Sequence, residues 1–249
     1  MVSLEVCANS AASAIAAQAG GAIRVELCDN LNQGGTTPSH GQITIARSAL
    51  HIKLYALIRP RSGDFLYTRQ EYDVMLSDVR HAIERGCDGI VIGILNKDGS
   101  VDVDRCSQIV NMVRQHGVGA TFHRAFDMCS DHEKALEDII SAGFERVLTS
   151  GGKTTAIEGA AVIKHLITQA NGRISVMPGG GINESNVSDL IRFTGTSEIH
   201  ASLRRLTYSQ MEFQNDHILM DANHFNNQYV TDVTDEKRVR ELLRLANPE

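Results

Sequence analysis

The sequence lacks several features that would assign it to a common class of protein. No apolar run approaches the roughly 20 residues of a membrane-spanning helix, and no G-x-G-x-x-G motif follows the first predicted strand. An excess of basic residues is also absent, because the formal net charge is -6 at pH 7. A surface that binds nucleic acid is usually basic, so we expect no nucleic-acid partner, no membrane partner and no dinucleotide-binding fold.

Paired cysteine motifs are absent as well. The cysteine count is odd and no two cysteines form a C-x-x-C pair, so neither a zinc ribbon nor a disulfide framework is supported. The opening residues MVSLEVCANS have no positive start and no long apolar centre, so we expect no secretory signal and a cytoplasmic protein. Free thiols are the default in such a reducing compartment. The five cysteines are Cys7, Cys28, Cys87, Cys106 and Cys129.

What the chain does contain is a regular alternation of short β-like runs and amphipathic helical stretches. Eight strands in 249 residues correspond to roughly 31 residues per unit, the size of a βαβ step. Such alternation indicates a parallel sheet, and eight repeats favour a closed (β/α)8 TIM barrel over an open sheet. The predicted strands are 3–7, 23–27, 53–58, 89–94, 118–123, 146–150, 174–178 and 197–201.

The whole chain, 1–249, is interpreted as one barrel domain. Hydrophobic residues make up 42% of it and charged residues 22%, which is enough for a packed core. A polar stretch over 202–233 reads as an extended loop, and 234–246 as the last helix, with Thr234 as its N-cap.

Alternation along the strands predicts which side chains face the barrel axis. In the first strand Leu4 and Val6 face the helices, so their neighbours point inward. The same phase applied to other strands gives an unusually polar interior. Such buried charges are either a salt-bridge network that fixes the barrel or part of a site. The predicted inward residues are Glu5, Cys7, Arg24, Glu26, Cys28, His123, Glu198, His200 and Ser202.

The stretch TFHRAFDMC places a base, a fixed cation and an acid just where the fifth strand ends. Active sites of TIM barrels lie at the carboxyl ends of the strands. We therefore take His123, Arg124 and Asp127 as catalytic candidates, with His123 as general acid or base and Asp127 or a glutamate orienting it. Glu26 is included as a further candidate. The alternative is a polar cluster that only ties the loop down.

Three loops could hold an anion. Arg59 and Arg61 flank Pro60 after the third strand, where two guanidiniums could bind a carboxylate or phosphate; the alternative is a salt bridge to Asp64 or a neighbouring acid. TSGGK and PGGGI are glycine-rich turns whose backbone N–H groups could approach an anion, unless they are only tight turns. The candidates in these turns are Ser150, Gly151, Gly179, Gly180 and Gly181.

Cys7 and Cys28 end the first two strands in the same phase. Adjacent parallel strands lie about 4.8 Å apart, so the two sulfurs could share a soft ion such as Cu(I). The alternative is two small buried apolar side chains, which free cysteines often are.

With these residues in place, the chain resembles the CutC family of copper homeostasis proteins. The matching stretches run from residue 4 to about 202 and include LEVC, RVELC, GGTTPSHG, IRPRSGDFLY, TFHRAFDMC, FERVLTSGG, MPGGGI and EIHAS. The resemblance implies a (β/α)8 barrel, a cytoplasmic location and copper handling, with Cys7 and Cys28 matching the family's cysteines. The chain departs from the family pattern at Leu203, Arg204, Arg205 and Gln214.

Two functions follow from these observations. The first is a cytoplasmic copper homeostasis protein that binds Cu(I) through thiolates at the barrel mouth. The second is a barrel enzyme acting on a small anionic or phosphorylated metabolite through a His/Arg/Asp site, by isomerisation, aldol cleavage or hydrolysis. The expected partner is thus a copper ion or a small anionic molecule, and a homo-oligomer is left open.

Overall fold

The computed structural model describes residues 1–215, 217–218 and 228–248. Its main sheet has eight parallel strands, one at each predicted position. The strands are β1 (Ser3–Ala8), β2 (Arg24–Leu27), β3 (Lys53–Leu57), β4 (Gly89–Ile92), β5 (Gly119–Phe122), β6 (Arg146–Thr149), β7 (Ser175–Pro178) and β8 (Glu198–Ala201).

The strands are hydrogen-bonded in the order β7-β6-β5-β4-β3-β2-β1-β8. A parallel bridge between Gly179 and His200 joins the two ends of that order and closes the barrel. The predicted (β/α)8 fold in one domain is therefore confirmed.

Helices follow the strands and cover the outside of the barrel. Most begin at a side chain that accepts a hydrogen bond from the first turn; Thr68 and Glu71 form a reciprocal capping box of this kind. The helices are α1 (Ala11–Ala19), α2 (His40–Ala49), α3 (Arg69–Glu84), α4 (Val103–Arg114), α5 (His132–Ala142), α6 (Ala160–Ala170), α7 (Val187–Thr194) and α8 (Glu236–Ala246), with short 3-10 helices at Leu31–Gln33 and Arg124–Met128.

The core has two parts, as strand alternation requires. Leu4 and Val6 are fully buried in the large apolar layer between barrel and helices. A smaller cluster inside the barrel contains Cys7, Cys28 and Tyr55, together with two aliphatic side chains from β3 and β4. The predicted inward phase of β1 and β2 therefore agrees with the structure.

The segment after β8 differs from the predicted extended loop. Two strands within it, β9 (Arg204–Tyr208) and β10 (Val230–Thr234), pair as an antiparallel ribbon. Residues 216 and 219–227 of the predicted loop lie outside the described residues.

The last helix also begins later than predicted. Thr234 ends β10, and Asp235 is the N-cap of α8, because its carboxylate accepts hydrogen bonds from the N–H groups of Lys237 and Arg238. Helix α8 packs between α7 and α1 and completes the outer ring. Within the described ranges, no helix has the length and apolar character needed to cross a membrane.

Candidate functional site at the barrel mouth

Four side chains from three adjacent strands meet at the carboxyl end of the barrel. Strand register places Cys7 beside Glu26 and Glu5 beside His200. The Cys7 and Cys28 sulfurs are 3.4 Å apart. One ligand atom each from Cys7, Glu26 and His200 lies within 4.8 Å of the others. Cys7 therefore has Cys28 as one neighbour and the Glu26 carboxylate and His200 imidazole as others, while Cys28 is not a member of that three-residue group.

Both thiols of this cluster are buried. Cys7 is 7% exposed and Cys28 is 1% exposed. The hydrogen bond with Cys28 and burial raise the pKa of the Cys7 thiol well above its usual range, and the charge of Glu26 acts in the same direction. The Cys7 side chain is therefore a neutral thiol without metal, and a metal ion must displace its proton.

His200 is held between two buried carboxylates. Its Nδ1 lies 2.8 Å from Glu5 Oε1, and its Nε2 lies 3.6 Å from Glu26 Oε2. Burial alone would lower the pKa of His200, but its contacts with Cys7, Glu5 and Glu26 raise it well above the usual range. The ring is therefore protonated on both nitrogens and positively charged at neutral pH.

The two carboxylates differ in their own surroundings. Burial would raise the pKa of Glu5, but Arg24 and His200 lower it to about 2. Burial raises the pKa of Glu26, the charge of Glu5 adds to this, and His200 only partly offsets it. Glu5 is therefore the fixed anion of the cluster, and Glu26 is the carboxylate that more readily takes up a proton.

Below this cluster the barrel interior is an ion network. Arg24 is paired with Glu5 and, at 2.9 Å, with Glu198. Arg146 also reaches Glu198 and donates to Thr121 Oγ1 at 3.3 Å. These contacts are the salt-bridge arrangement that the sequence left open for Glu5 and Arg24. They supply the partners that buried charges require.

The Cys7 and Cys28 thiols fit a soft metal ion in chemistry, and their separation is close to that of two ligands on one metal. Around a metal with sulfur ligands at about 2.3 Å, trigonal or tetrahedral geometry separates two sulfurs by about 3.8–4.0 Å. The observed 3.4 Å therefore requires side-chain shifts of only a few tenths of an ångström. Nδ1 of His200 is bonded to Glu5, while Nε2 lies 3.6 Å from Glu26 Oε2.

His123 follows β5 and is 5% exposed. Its Nδ1 accepts a hydrogen bond from the Ala125 N–H at 3.1 Å, so we place the ring proton on Nε2. Among the described residues Nε2 has no partner. Burial and the charge of Arg59 lower the pKa of His123 to about 3. The expectation that His123 titrates near neutral pH therefore disagrees with the structure, which makes it a neutral hydrogen-bond donor.

Asp127 does not orient His123. Its carboxylate accepts hydrogen bonds from Thr149 Oγ1 at 2.6 Å and from the N–H groups of Ser150 and Gly152 at 3.0 Å. Arg124 Nε donates to the same carboxylate at 2.7 Å. The N–H groups of the TSGGK turn are thus bound to an anion from within the chain.

Two predicted anion ligands in the same turn, Gly151 and Ser150, are bonded to groups within the chain. Gly151 N–H donates to Thr149 Oγ1 at 2.8 Å, and Ser150 Oγ accepts from Arg124 Nη2 at 2.7 Å. Neither group is available to an external anion as placed. In the PGGGI turn, Gly179 N–H bonds to Thr149 O, while Gly180 and Gly181 donate to no group among the described residues.

Arg59 and Arg61 also have partners of their own. Arg59 is 4% exposed. Its Nη groups donate to the carbonyls of Gln33, Gly35 and Gly63 at 2.6–3.0 Å. Arg61 pairs with Glu71 and Asp64. The geometry supports the loop-tying alternative for both arginines, and anion binding by them stays a prediction.

Sequence reasoning did not place His200 beside the thiols. It named the histidine as an inward residue, whereas the structure brings one of its ring nitrogens within 4.8 Å of ligand atoms of Cys7 and Glu26. The signal was available in the barrel closure, because closing eight strands makes β8 the neighbour of β1. Ser202 lies just past β8 and is half-buried.

The fold and this cluster define a (β/α)8 barrel protein with thiols, an imidazole and carboxylates at the mouth. Residues 2–205 match the CutC family, and the chain belongs to that family.

Known proteins agree with this assignment. The chain is 46% identical to a mouse copper homeostasis protein cutC homolog over 98% of this chain and 89% of the relative. It is 48% identical to a family protein CutC of Chromobacterium violaceum over 96% of each chain. Among solved structures, a candidate copper homeostasis protein CutC from Streptococcus agalactiae has a TM-score of 0.77 at 35% identity, covering 81% of this chain and 99% of that one.

Proposed function

We propose that this protein binds Cu(I) as a copper homeostasis protein, using Cys7 and Cys28 as thiolate ligands. The observation that carries the proposal is the 3.4 Å contact between two thiols inside the barrel mouth. Thiolates select Cu(I) over harder ions. The names of the mouse and human relatives refer to copper homeostasis, which supports copper as the metal.

His200 is the third ligand in this proposal. A histidine that ligates a metal usually donates its other ring N–H to a carboxylate or carbonyl, which fixes the ring. Glu5 stands in that position, 2.8 Å from Nδ1. Arg24 in turn fixes Glu5, so the orientation of Nε2 toward Cys7 is set by the ion network below it.

We also propose a cytoplasmic location, which the same chemistry supports. The two thiols can bind Cu(I) only while they remain reduced, and thiols in contact persist in reducing compartments. All five cysteines are free in the structure, which is consistent with such a compartment.

The experiment is a titration of the fully reduced protein with Cu(I) in competition with a chromophoric Cu(I) chelator. We expect one equivalent of Cu(I) per chain. Replacing both Cys7→Ser and Cys28→Ser should abolish that binding, because the remaining imidazole and carboxylate are weak ligands for Cu(I).

Cys87→Ser is the matched control, since Cys87 is also buried but lies in the outer apolar layer rather than inside the barrel. It should retain the full equivalent. Unchanged stoichiometry and affinity in the Cys7/Cys28 double variant would overturn the proposal.

A second candidate function is a barrel enzyme acting on a small anionic molecule. The observation in its favour is His123, a buried neutral imidazole whose Nε2–H has no partner among the described residues. A preorganised donor of this kind stabilises developing negative charge on a substrate oxygen.

A further inference from the structure

The turn after β7 offers backbone donors that the turn after β6 does not. In the β6 turn, Asp127 takes the N–H groups of Ser150 and Gly152. In the β7 turn, the N–H groups of Gly180 and Gly181 have no hydrogen-bond partner within the described ranges. The first turn shows that this kind of loop binds an oxyanion, and the second has no oxyanion of its own.

Arg124 lies beside the β7 turn with one end of its guanidinium unused. Its Nε donates to Asp127 Oδ2 at 2.7 Å, and its Nη2 donates to Ser150 Oγ at 2.7 Å and Lys153 O at 3.2 Å. These three bonds fix the plane of the guanidinium. No described group accepts a hydrogen bond from Nη1, and the side chain is 43% exposed.

Gly180 leaves open the space between the turn and this guanidinium. A Cβ at residue 180 would lie 3.5 Å from Arg124 Nη1 and 3.4 Å from the Ser150 Cβ. The backbone there has a φ of +104°, a conformation that favours glycine. Residue 180 therefore presents bare backbone to Arg124 Nη1, with room of about one methyl group between them.

We propose that Arg124 Nη1 and the N–H groups of Gly180 and Gly181 bind the phosphate group of a small phosphorylated molecule. Three donors on two separate loops match a tetrahedral group that presents oxygens in several directions. Asp127 neutralises the charge of Arg124. Lys153, which is exposed, adds a further positive charge near the site.

The proposed phosphate site lies next to the thiol cluster. Gly179, the preceding residue, is the bridge partner of His200, and a Cβ at residue 179 would lie 3.2 Å from the His200 Cβ. A molecule anchored at Gly180 would thus extend over the barrel mouth. The site gives the substrate of the second candidate function a place and rests on that function, but it is independent of Cu(I) binding.

The test is a titration of the whole metal-free protein with inorganic phosphate, followed by the amide resonances of Gly180 and Gly181. We expect saturable shifts at both amides, and weaker binding of acetate. Arg124→Gln should weaken phosphate binding about tenfold or more, equivalent to about 1.4 kcal/mol. Because Arg124 also holds Asp127, the thermal midpoint of each variant is measured alongside.

Gly180→Ala fills the gap and should likewise weaken phosphate binding about tenfold or more. Gly172→Ala is its matched control, because Gly172 also has a positive φ of +74° but no atom within 4 Å of its Cβ position. It should leave binding unchanged. Absence of saturable shifts in the unsubstituted protein, equal affinity for acetate, or unchanged affinity in both Arg124→Gln and Gly180→Ala would overturn the phosphate site.

These outcomes are separable from the function itself. Saturable phosphate binding without turnover of any phosphorylated compound would contradict the proposed enzyme function and support the phosphate site. Turnover that persists in Gly180→Ala with unchanged KM would contradict the phosphate site and support the enzyme function.

Discussion

His200 holds a proton between two buried carboxylates, and a metal ion at Nε2 has to displace that proton. Protons and metal ions compete for the same lone pair, so affinity rises with pH wherever the free ligand is protonated. The pKa values of His200 and Cys7 both lie above their usual ranges. At neutral pH both groups therefore resist the metal, and raising the pH favours it.

We expect His200→Gln to reduce the pH dependence of Cu(I) affinity by about one tenfold step per pH unit, because one fewer proton is released. The measurement is chelator competition at several pH values between roughly 6 and 8, where the His200 ring is protonated in the metal-free protein. The thermal midpoint of the variant serves as its control, since Glu5 and Glu26 lose a partner. An unchanged pH slope would mean that His200 is not a ligand.

At the scale of single strands, β4 shows how the interior makes room for the polar groups. A Cβ at Gly89 would lie 2.3 Å from the Tyr55 ring, and one at Gly93 would lie 2.5 Å from the His123 ring. The first residue of β4 and the residue just after the strand therefore lack inward side chains, which leaves room for the tyrosine of β3 and the histidine that follows β5.

The ion network is likewise a property of paired strands. Arg146 on β6 is 8% exposed and contacts Glu198, Glu145 and Thr121. We expect Arg146→Met to cost about 1.5–3 kcal/mol of unfolding free energy, because it removes charge-assisted hydrogen bonds to Glu198, which keeps Arg24 as its other partner. Urea or guanidinium denaturation measures this cost.

Arg173→Met is the comparison, because it breaks an ion pair with Glu137 in which both side chains are nearly half exposed. Such pairs contribute little to stability, so its effect should be far smaller. Equal losses in the two variants would show that burial of Arg146 does not set its contribution.

At the scale of the whole molecule, the barrel was predictable because the spacing of the strands and the alternation of apolar residues within them are visible in the sequence. Eight strands recur at regular spacing, and Leu4 and Val6 identify the outer face of β1. The same alternation placed Cys7 and Cys28 inside, where they meet.

Contacts made by turns could not be predicted in this way. Asp127 reaches the β6 turn, 23 residues away in sequence, only because a short 3-10 helix redirects the chain after His123. Arg59 likewise donates its hydrogen bonds to carbonyls of another loop. Hydrogen bonds of this type depend on backbone geometry rather than on residue spacing, so residue type alone suggested anion ligands where the chain had already supplied partners.

The barrel is thinly paired between β7 and β8, and the candidate sites lie on both sides of that junction. Strands β1 and β2 pair through four residue positions, whereas β7 and β8 meet through the single bridge of Gly179 and His200. Near the start of β8 the Glu198 N–H bonds to Thr196 Oγ1 of its own chain segment. Backbone groups with fewer partners on a neighbouring strand open more easily.

We therefore expect amides of β8 to exchange with deuterium faster than those of β2, because both strands are buried but only β2 is fully paired on its two sides. Cu(I) bound by His200, Cys7 and Cys28 would tie β8 to β1 and β2, so it should slow exchange in β8 more than in β5, which carries none of these ligands. Peptide-resolved hydrogen exchange, with and without Cu(I), measures both effects. Equal exchange in β8 and β2 would show that one bridge closes the barrel as firmly as a full ladder, and an unchanged β8 on saturation with Cu(I) would place the metal away from His200.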